Sequence, residues 1–193
     1  MRNDAALVIL AGGEGRRIGG AKPLRAFGGE RLIDRALRQA RVWSDLIAIA
    51  VRGASQVEPV EAVLIRDRDI PGPLGGLISG LEFARQNKRP FLLSIPTDMP
   101  FLPHDLRDRL TAHIGDHACA LAASGGQLHP VCGLWRSTAL DQVEDYAAAG
   151  RRSLKGFAGQ LGFASVDWPV DGADPFFNVN TSEDLAEAAR AER

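Results

Sequence analysis

Leu7-Val8-Ile9-Leu10 runs without a polar residue into Ala11-Gly12-Gly13-Glu14-Gly15-Arg16-Arg17-Ile18-Gly19-Gly20-Ala21-Lys22, and residues 32–40 beyond it repeat their hydrophobes at helical spacing. A strand with no polar face must be covered on both sides. The order strand, glycine-rich loop, helix therefore predicts a mostly parallel sheet between two layers of helices. Outward from this unit, predicted strands at 46–51, 62–65 and 91–95 alternate with helices over 77–85 and 106–112. Past Asp116 the order changes. Apolar runs at 118–123 and 131–135 flank Ser124-Gly125-Gly126-Gln127, which reads as a hairpin turn and adds an antiparallel element in the second half. Helices over 138–148 and 182–191, a strand over 163–168, and Thr181 or Ser182 as the last helix's cap complete the expectation. The fold class is α/β: a three-layer α/β/α sandwich around a Rossmann-like, mostly parallel sheet.

A chain of 193 residues suits one domain spanning 1–193, and no repeat or low-complexity linker divides it. With 45% hydrophobic and 24% charged residues the composition is that of an ordinary soluble protein, which excludes a wholly disordered chain. Twenty-three basic residues against 24 acidic ones give a net charge of -1, so nothing global selects nucleic acid or a membrane surface as a partner. No apolar stretch approaches the roughly 18 to 20 residues that cross a bilayer, and Met1-Arg2-Asn3-Asp4 leads straight into a strand, so a cytoplasmic location is expected. Cys119 and Cys132 lack CxxC spacing and a clustered His, and read as buried thiols. The average charge hides one imbalance: residues 14–41 carry eight Lys or Arg against three Asp or Glu.

Ligands of such sheets sit beyond the carboxyl ends of the strands, so the informative motifs are those that follow strands. In the first loop, glycines let backbone N–H groups approach an anion closely and make a phosphate cradle, to which Lys22 adds charge. Only three lysines occur, against twenty arginines. The loop is not a Walker loop, because Lys22 lies between Ala21 and Pro23. Nor is it a dinucleotide fingerprint: Ile18 stands where a small residue is needed, and no acidic residue ends the second strand. After 62–65, Asp67 and the turn Pro71-Gly72-Pro73-Leu74-Gly75-Gly76-Leu77 put a carboxylate and a helix start beside the cleft. Asp67 there either accepts hydrogen bonds from a base or ribose or is a surface residue of a structural turn. Pro96-Thr97-Asp98-Met99-Pro100 follows the strand at 91–95 and sets Asp98 at the mouth of the sheet, as a Mg2+ ligand or as a turn stabiliser between prolines. His129 reads as a hydrogen-bonded structural residue. Arg151, Arg152 and Lys155 form a second basic cluster at a helix entrance after Gly150, either solvated or facing a phosphate.

In combination, Leu10-Ala11-Gly12-Gly13, Arg17-Ile18-Gly19-Gly20 with Lys22, Pro71 to Leu77, Pro96 to Pro100, His129-Pro130-Val131 and Asn178-Val179-Asn180-Thr181 resemble the molybdenum cofactor guanylyltransferases. These lie within the glycosyltransferase-A-like nucleotidyltransferases. The resemblance implies transfer of GMP from GTP to the terminal phosphate of molybdopterin, with release of pyrophosphate. It further implies that Leu10, Ala11, Gly12 and Gly13 hold GTP through the backbone, Lys22 its phosphates, Asp67 the nucleoside, and Asp98 both Mg2+ and the nucleotide. Arg17, Lys22 and Asp98 would be the catalytic set, with Gly20 a further matching position. Gly72 and Gly76 would keep the nucleotide side open, and Asn178 and Asn180 would face molybdopterin. Residues of about 1–110 then form the nucleotide-binding half and 111–193 the acceptor-binding half. Beyond the two substrates, the implied partners are molybdopterin-delivering proteins and molybdoenzyme chaperones in transient contact. The chain departs from the pattern in three places: Ala21 replaces the usual Asp, the loop is one residue shorter, and no Asn closes the second strand. Rival readings are a cytidylyltransferase of the same fold acting on molybdopterin or a sugar or polyol phosphate, and a nucleotide-binding regulatory module without catalysis.

Overall fold

The computed structural model describes residues 4–11, 22–68, 70–181 and 183–184. In chain order the elements are β1 (Ala5–Leu10), a small hairpin of β2 (Ala26–Phe27) and β3 (Glu30–Arg31), α1 (Leu32–Trp43), β4 (Ile47–Val51), β5 (Val63–Arg66), α2 (Leu74–Gln86), β6 (Phe91–Pro96), α3 (Leu106–His113), β7 (Cys119–Ser124), β8 (Gln127–Arg136), α4 (Leu140–Ala148), α5 (Leu154–Leu161) and β9 (Phe163–Trp168). The seven long strands form one sheet in the order β5-β4-β1-β6-β8-β7-β9. β1 lies parallel to β4 and β6, and β5 parallel to β4. β8 is antiparallel to both β6 and β7, while β9 returns to the common direction beside β7. The expected mostly parallel sheet with an antiparallel element in the second half is what forms, and β8 is the strand that supplies the reversal.

Apolar side chains alternate between two faces, as a period of two requires. Leu7, Ile9, Ile49, Leu93 and Ile95 face one core together with Ile33, Leu37 and Trp43 of α1 and Leu106 and Leu110 of α3. Ala6, Val8, Ala48, Leu92 and Trp135 face the other, beneath Leu77, Ile78 and Leu81 of α2, Val143 and Tyr146 of α4, and Phe157 of α5. All six residues of β1 are buried, which explains why its sequence carries no polar alternation.

Local chemistry sets where the reversal sits. β7 and β8 are joined through Gly125 and Gly126, whose φ values of 52° and 75° are those of a tight hairpin turn that side chains other than glycine enter reluctantly. β8 starts at Gln127, four residues before the expected 131, because the ladder is interrupted within it. Leu121 pairs with Gly133 but Ala122 pairs with His129, so residues 130–132 bulge out of register. Pro130 has no N–H to give a ladder and stands in the bulge. The β2–β3 hairpin was not expected from sequence. The predicted helix over 182–191 lies outside the described residues apart from 183 and 184, but its cap is visible. Thr181 Oγ1 accepts the Asp184 N–H at 3.0 Å, while Asp184 Oδ2 accepts the N–H groups of Asn180 and Thr181 at 2.6 and 2.8 Å.

α2 approaches the sheet closely because it lacks side chains where they would collide. A Cβ on Gly80 would lie 2.8 Å from Val8 Cγ1 and 3.0 Å from Leu92 Cδ2. Gly80→Val is therefore an overpacking change in a buried layer. It should lower stability by about 1 to 3 kcal/mol, read as a shifted urea midpoint at unchanged slope.

Candidate functional site

The carboxyl ends of β1, β4, β5, β6, β7 and β9 share one edge of the sheet, together with the start of the reversed β8. Lys22 follows the first loop, and Pro23 beside it is buried, so the short 3-10 turn Lys22–Leu24 anchors the lysine stem. Its Nζ donates to Asp98 Oδ2 at 2.6 Å and to Asn180 Oδ1 at 2.8 Å. Three residues assigned from separate motifs thus meet at a single ammonium group. Only 11% of the Lys22 side chain is exposed, against 21% for Asp98. A charge-assisted pair with this little water around it is stronger than an exposed ion pair, whose worth is near zero to 1 kcal/mol.

Asp98 leaves β6 at its carboxyl end and is fixed from behind by its own carbonyl, which accepts the Val179 N–H at 2.8 Å. Val179 is fully buried against Phe27 and Leu32, so the small β2–β3 hairpin closes over this contact. Cys132 packs against Met99 at 3.5 Å, and its thiol is pushed well up, first by burial and then by the Asp98 charge. The other thiol, Cys119, is raised by burial to about 12.

Residues 174–180 run along the carboxyl edge from the far strands back to the first. Asp174 meets Ser124 at the end of β7, and the Phe176 ring stacks on His129 near the start of β8 at 4.8 Å. Val179 then meets Asp98 after β6, and Asn180 meets Lys22 after β1. Asn180 contributes its side-chain oxygen. Asn178 is exposed and contributes its backbone carbonyl, 3.5 Å from Asn180 Nδ2.

At the end of β1, Leu10 and the following Ala11 are buried, and the Ala11 N–H is bound to the Ala50 carbonyl at 3.1 Å. Asp67 is buried at the start of α2 and continues the β5 ladder through its N–H on the Val51 carbonyl at 2.8 Å. A side chain on Gly75 would collide with Asp67 Oδ1 and the Arg68 carbonyl, so the helix begins against this carboxylate only because residue 75 is glycine. A Cβ on Gly76 would lie 2.8 Å from Leu10 Cδ2 and 3.3 Å from Ala50 Cβ. Its bareness lets α2 pack closely on the sheet. Gly12, Gly13, Arg17 and Gly20 lie outside the described residues.

Other basic residues have local structural partners. Arg31 pairs with Asp34 at 2.6 Å, and Arg38 with Glu30 at 2.6 Å. Arg35 donates to the Pro100 carbonyl at 2.8 Å and lies over the rings of Phe27 and Phe101. Three of the eight basic residues of 14–41 are thus engaged within the fold. Arg151 lies 4.5 Å over the Tyr146 ring, and Arg152 donates to the Ala147 carbonyl at 2.6 Å, so both are held at the junction of α4 and α5. The buried Ser124 and the later Asp174 escaped the sequence reading. The signal available was His129-Pro130, a ring and a ladder-breaking residue directly after a hairpin.

Chemically, the edge offers a desolvated cation, a hard carboxylate partly open to solvent, and a helix start lined by a second carboxylate. Asp98 fits Mg2+ as a single oxygen ligand. Among the described residues no group of three or more His, Cys, Asp or Glu converges, so such an ion would draw its other ligands from substrate phosphates and water. No helix among the described residues is long and apolar enough to cross a membrane.

A sheet of this topology, with a lysine and a carboxylate paired at its carboxyl edge after a glycine-rich loop, defines the class of α/β nucleotidyltransferases. The chain belongs to the MobA-like NTP transferase domain family, whose profile matches residues 7–162. It is 37% identical over 183 residues to a molybdenum cofactor guanylyltransferase of Cereibacter sphaeroides, covering 94% of this chain and 93% of that protein. A molybdenum cofactor guanylyltransferase of Bradyrhizobium is 36% identical over 192 residues, covering 95% and 91%. Among solved structures, the molybdopterin-guanine dinucleotide biosynthesis protein A of Archaeoglobus fulgidus superposes with a TM-score of 0.75 at 23% identity, covering 96% of this chain and 97% of that one. The 2-C-methyl-D-erythritol 4-phosphate cytidylyltransferase of Thermus thermophilus has the same fold, with a TM-score of 0.70 at 18% identity over 96% and 98% of the two chains.

The burial of both cysteines gives a simple test of the packing behind Asp98. A water-soluble disulfide reagent should titrate neither thiol in the native protein and both in denaturant; fast native labelling of Cys132 would place it in an open site.

Proposed function

We propose that this chain transfers GMP from GTP to the terminal phosphate of molybdopterin, forming the guanine dinucleotide and releasing pyrophosphate. The observation that carries this reading is relatedness over almost the full chain to guanylyltransferases at 37% identity. The meeting of Lys22, Asp98 and Asn180 at one point supports it. The cytidylyltransferases of the same fold are similar to this chain in fold alone. A cytoplasmic setting suits both substrates.

The nucleophile in this reaction is a phosphate oxygen that is already anionic, so no side chain has to remove a proton. What remains is to bring two anions together in line and to screen their repulsion. Lys22 supplies a positive charge that needs no reorganisation, because Asp98 and Asn180 already hold its ammonium in place. Arg17 and the backbone of Leu10, Ala11, Gly12 and Gly13 hold the triphosphate, and Asp67 the nucleoside. Mg2+ carried on Asp98 would supply further charge neutralisation at the α-phosphate. Asn178 and Asn180 face the acceptor. The first half of the chain, to about residue 110, serves the nucleotide and the remainder the acceptor.

Purified protein incubated with molybdopterin, Mg2+ and either GTP or CTP should release pyrophosphate and form dinucleotide with GTP. Product from CTP alone would replace the guanine assignment, and tight nucleotide binding without turnover would favour a regulatory module. Lys22→Ala and Asp98→Ala should each cut turnover by about a hundredfold or more, and full activity in either variant would remove that residue from the site.

A further inference from the structure

We infer that Asp174, acting through Ser124 and His129, is a positioning residue for the acceptor side of the cleft. The inference rests on the proposed transfer to molybdopterin. The Asp174 carboxylate accepts from Ser124 Oγ at 2.8 and 2.9 Å and from the Phe176 N–H at 2.8 Å. Ser124 is fully buried at the end of β7, where β7 meets the turn into β8. A hydroxyl has one proton to give, and the carboxylate takes it. The 2.8 Å contact between Ser124 Oγ and His129 Nε2 therefore needs the hydrogen on Nε2. Burial lowers the His129 pKa, against the upward pull of Asp174, and the neutral ring is thereby held as a single tautomer.

That ring stacks on Phe176 with an interplanar angle of 11°, and Trp168 meets Phe176 edge-on at 5.3 Å. The strand ends of β7, β8 and β9 thus grip the start of segment 174–180 through one polar chain and one aromatic stack. The other end of the segment is where Val179 binds the Asp98 carbonyl and Asn180 binds Lys22. The segment has no helix or strand of its own, so the placement of Asn180 depends on both ends being fixed. An apolar plug would have covered the core at lower desolvation cost. A half-buried carboxylate with directed hydrogen bonds instead fixes orientation.

The test is steady-state kinetics of the wild type, Asp174→Ala, Asp174→Asn and Ser124→Ala with GTP and molybdopterin, alongside thermal melting. Asp174→Ala should raise the KM for molybdopterin about tenfold to a hundredfold, with a clearly smaller rise in the KM for GTP because Asn180 also touches Lys22. Asp174→Asn should recover most of the loss, because its amide oxygen still accepts from Ser124 and Phe176. Ser124→Ala removes a single hydroxyl and carries the same split should Asp174→Ala fail to fold. An unchanged molybdopterin KM in Asp174→Ala and Ser124→Ala overturns the inference, as do both KM values rising in parallel with a lowered melting temperature. Absence of dinucleotide from the wild type removes the proposed function and this inference with it, whereas wild-type turnover with unmoved variants removes the inference alone.

Discussion

A single ammonium group, that of Lys22, joins the chain's first loop to the end of its fourth sheet strand and to a segment near the carboxyl terminus. The partners lie 76 and 158 residues away in sequence. Such long closures are entropically affordable only because the sheet has already brought the segments to one edge. At about 4 Å, two unit charges near a protein surface interact by roughly 4 kcal/mol, more than the roughly 2 kcal/mol of rotamer freedom that a lysine loses on being held. Asp98 balances the charge of Lys22 and fixes that charge in position.

Two different kinds of packing keep that edge in place. Beneath α1 and α3 the core is built from large interlocking side chains, among them Trp43, Leu106 and Phe176. Beneath α2, contact is made partly by removing side chains, at Gly76 and Gly80. A helix pressed this closely to β1 and β4 has little freedom to slide, so its first turn stays beside Asp67. The polar edge is the margin of two rigid layers, and its side chains need no stiffness of their own beyond their stems.

Much of this was legible in the sequence because the physics was local. Leu7 to Leu10 and Phe91 to Ile95 announce strands covered on both faces, and Thr181 announces a helix cap, which Asp184 completes from three residues on. Asp98 and Lys22 were legible as strand-end residues, though not as partners of one another or of Asn180. The β2–β3 hairpin, with two residues per strand, is too short for any hydrophobic period to show. The early start of β8 was hidden by Pro130, which reads as the end of a strand when the ladder in fact resumes beyond it. Least legible was the run from Asp174 to Asn180. It has no periodicity, and its contacts are chosen by what the sheet edge presents.

The reversal of β8 has one more consequence. The other strands reach this edge at their carboxyl ends, but β8 arrives there at its beginning, from β7 through a turn of two glycines. The rim is consequently low and stiff at this turn, where the rest of it is made of longer connections. An insertion in those connections lengthens a loop, at an entropic cost that grows only slowly with length. An insertion in the hairpin shifts the pairing of the strand that splices the two parallel parts of the sheet, turning its side chains to the opposite face. Variation among proteins of this architecture should therefore accumulate in the crossovers, while the length of the Gly125-Gly126 turn stays fixed.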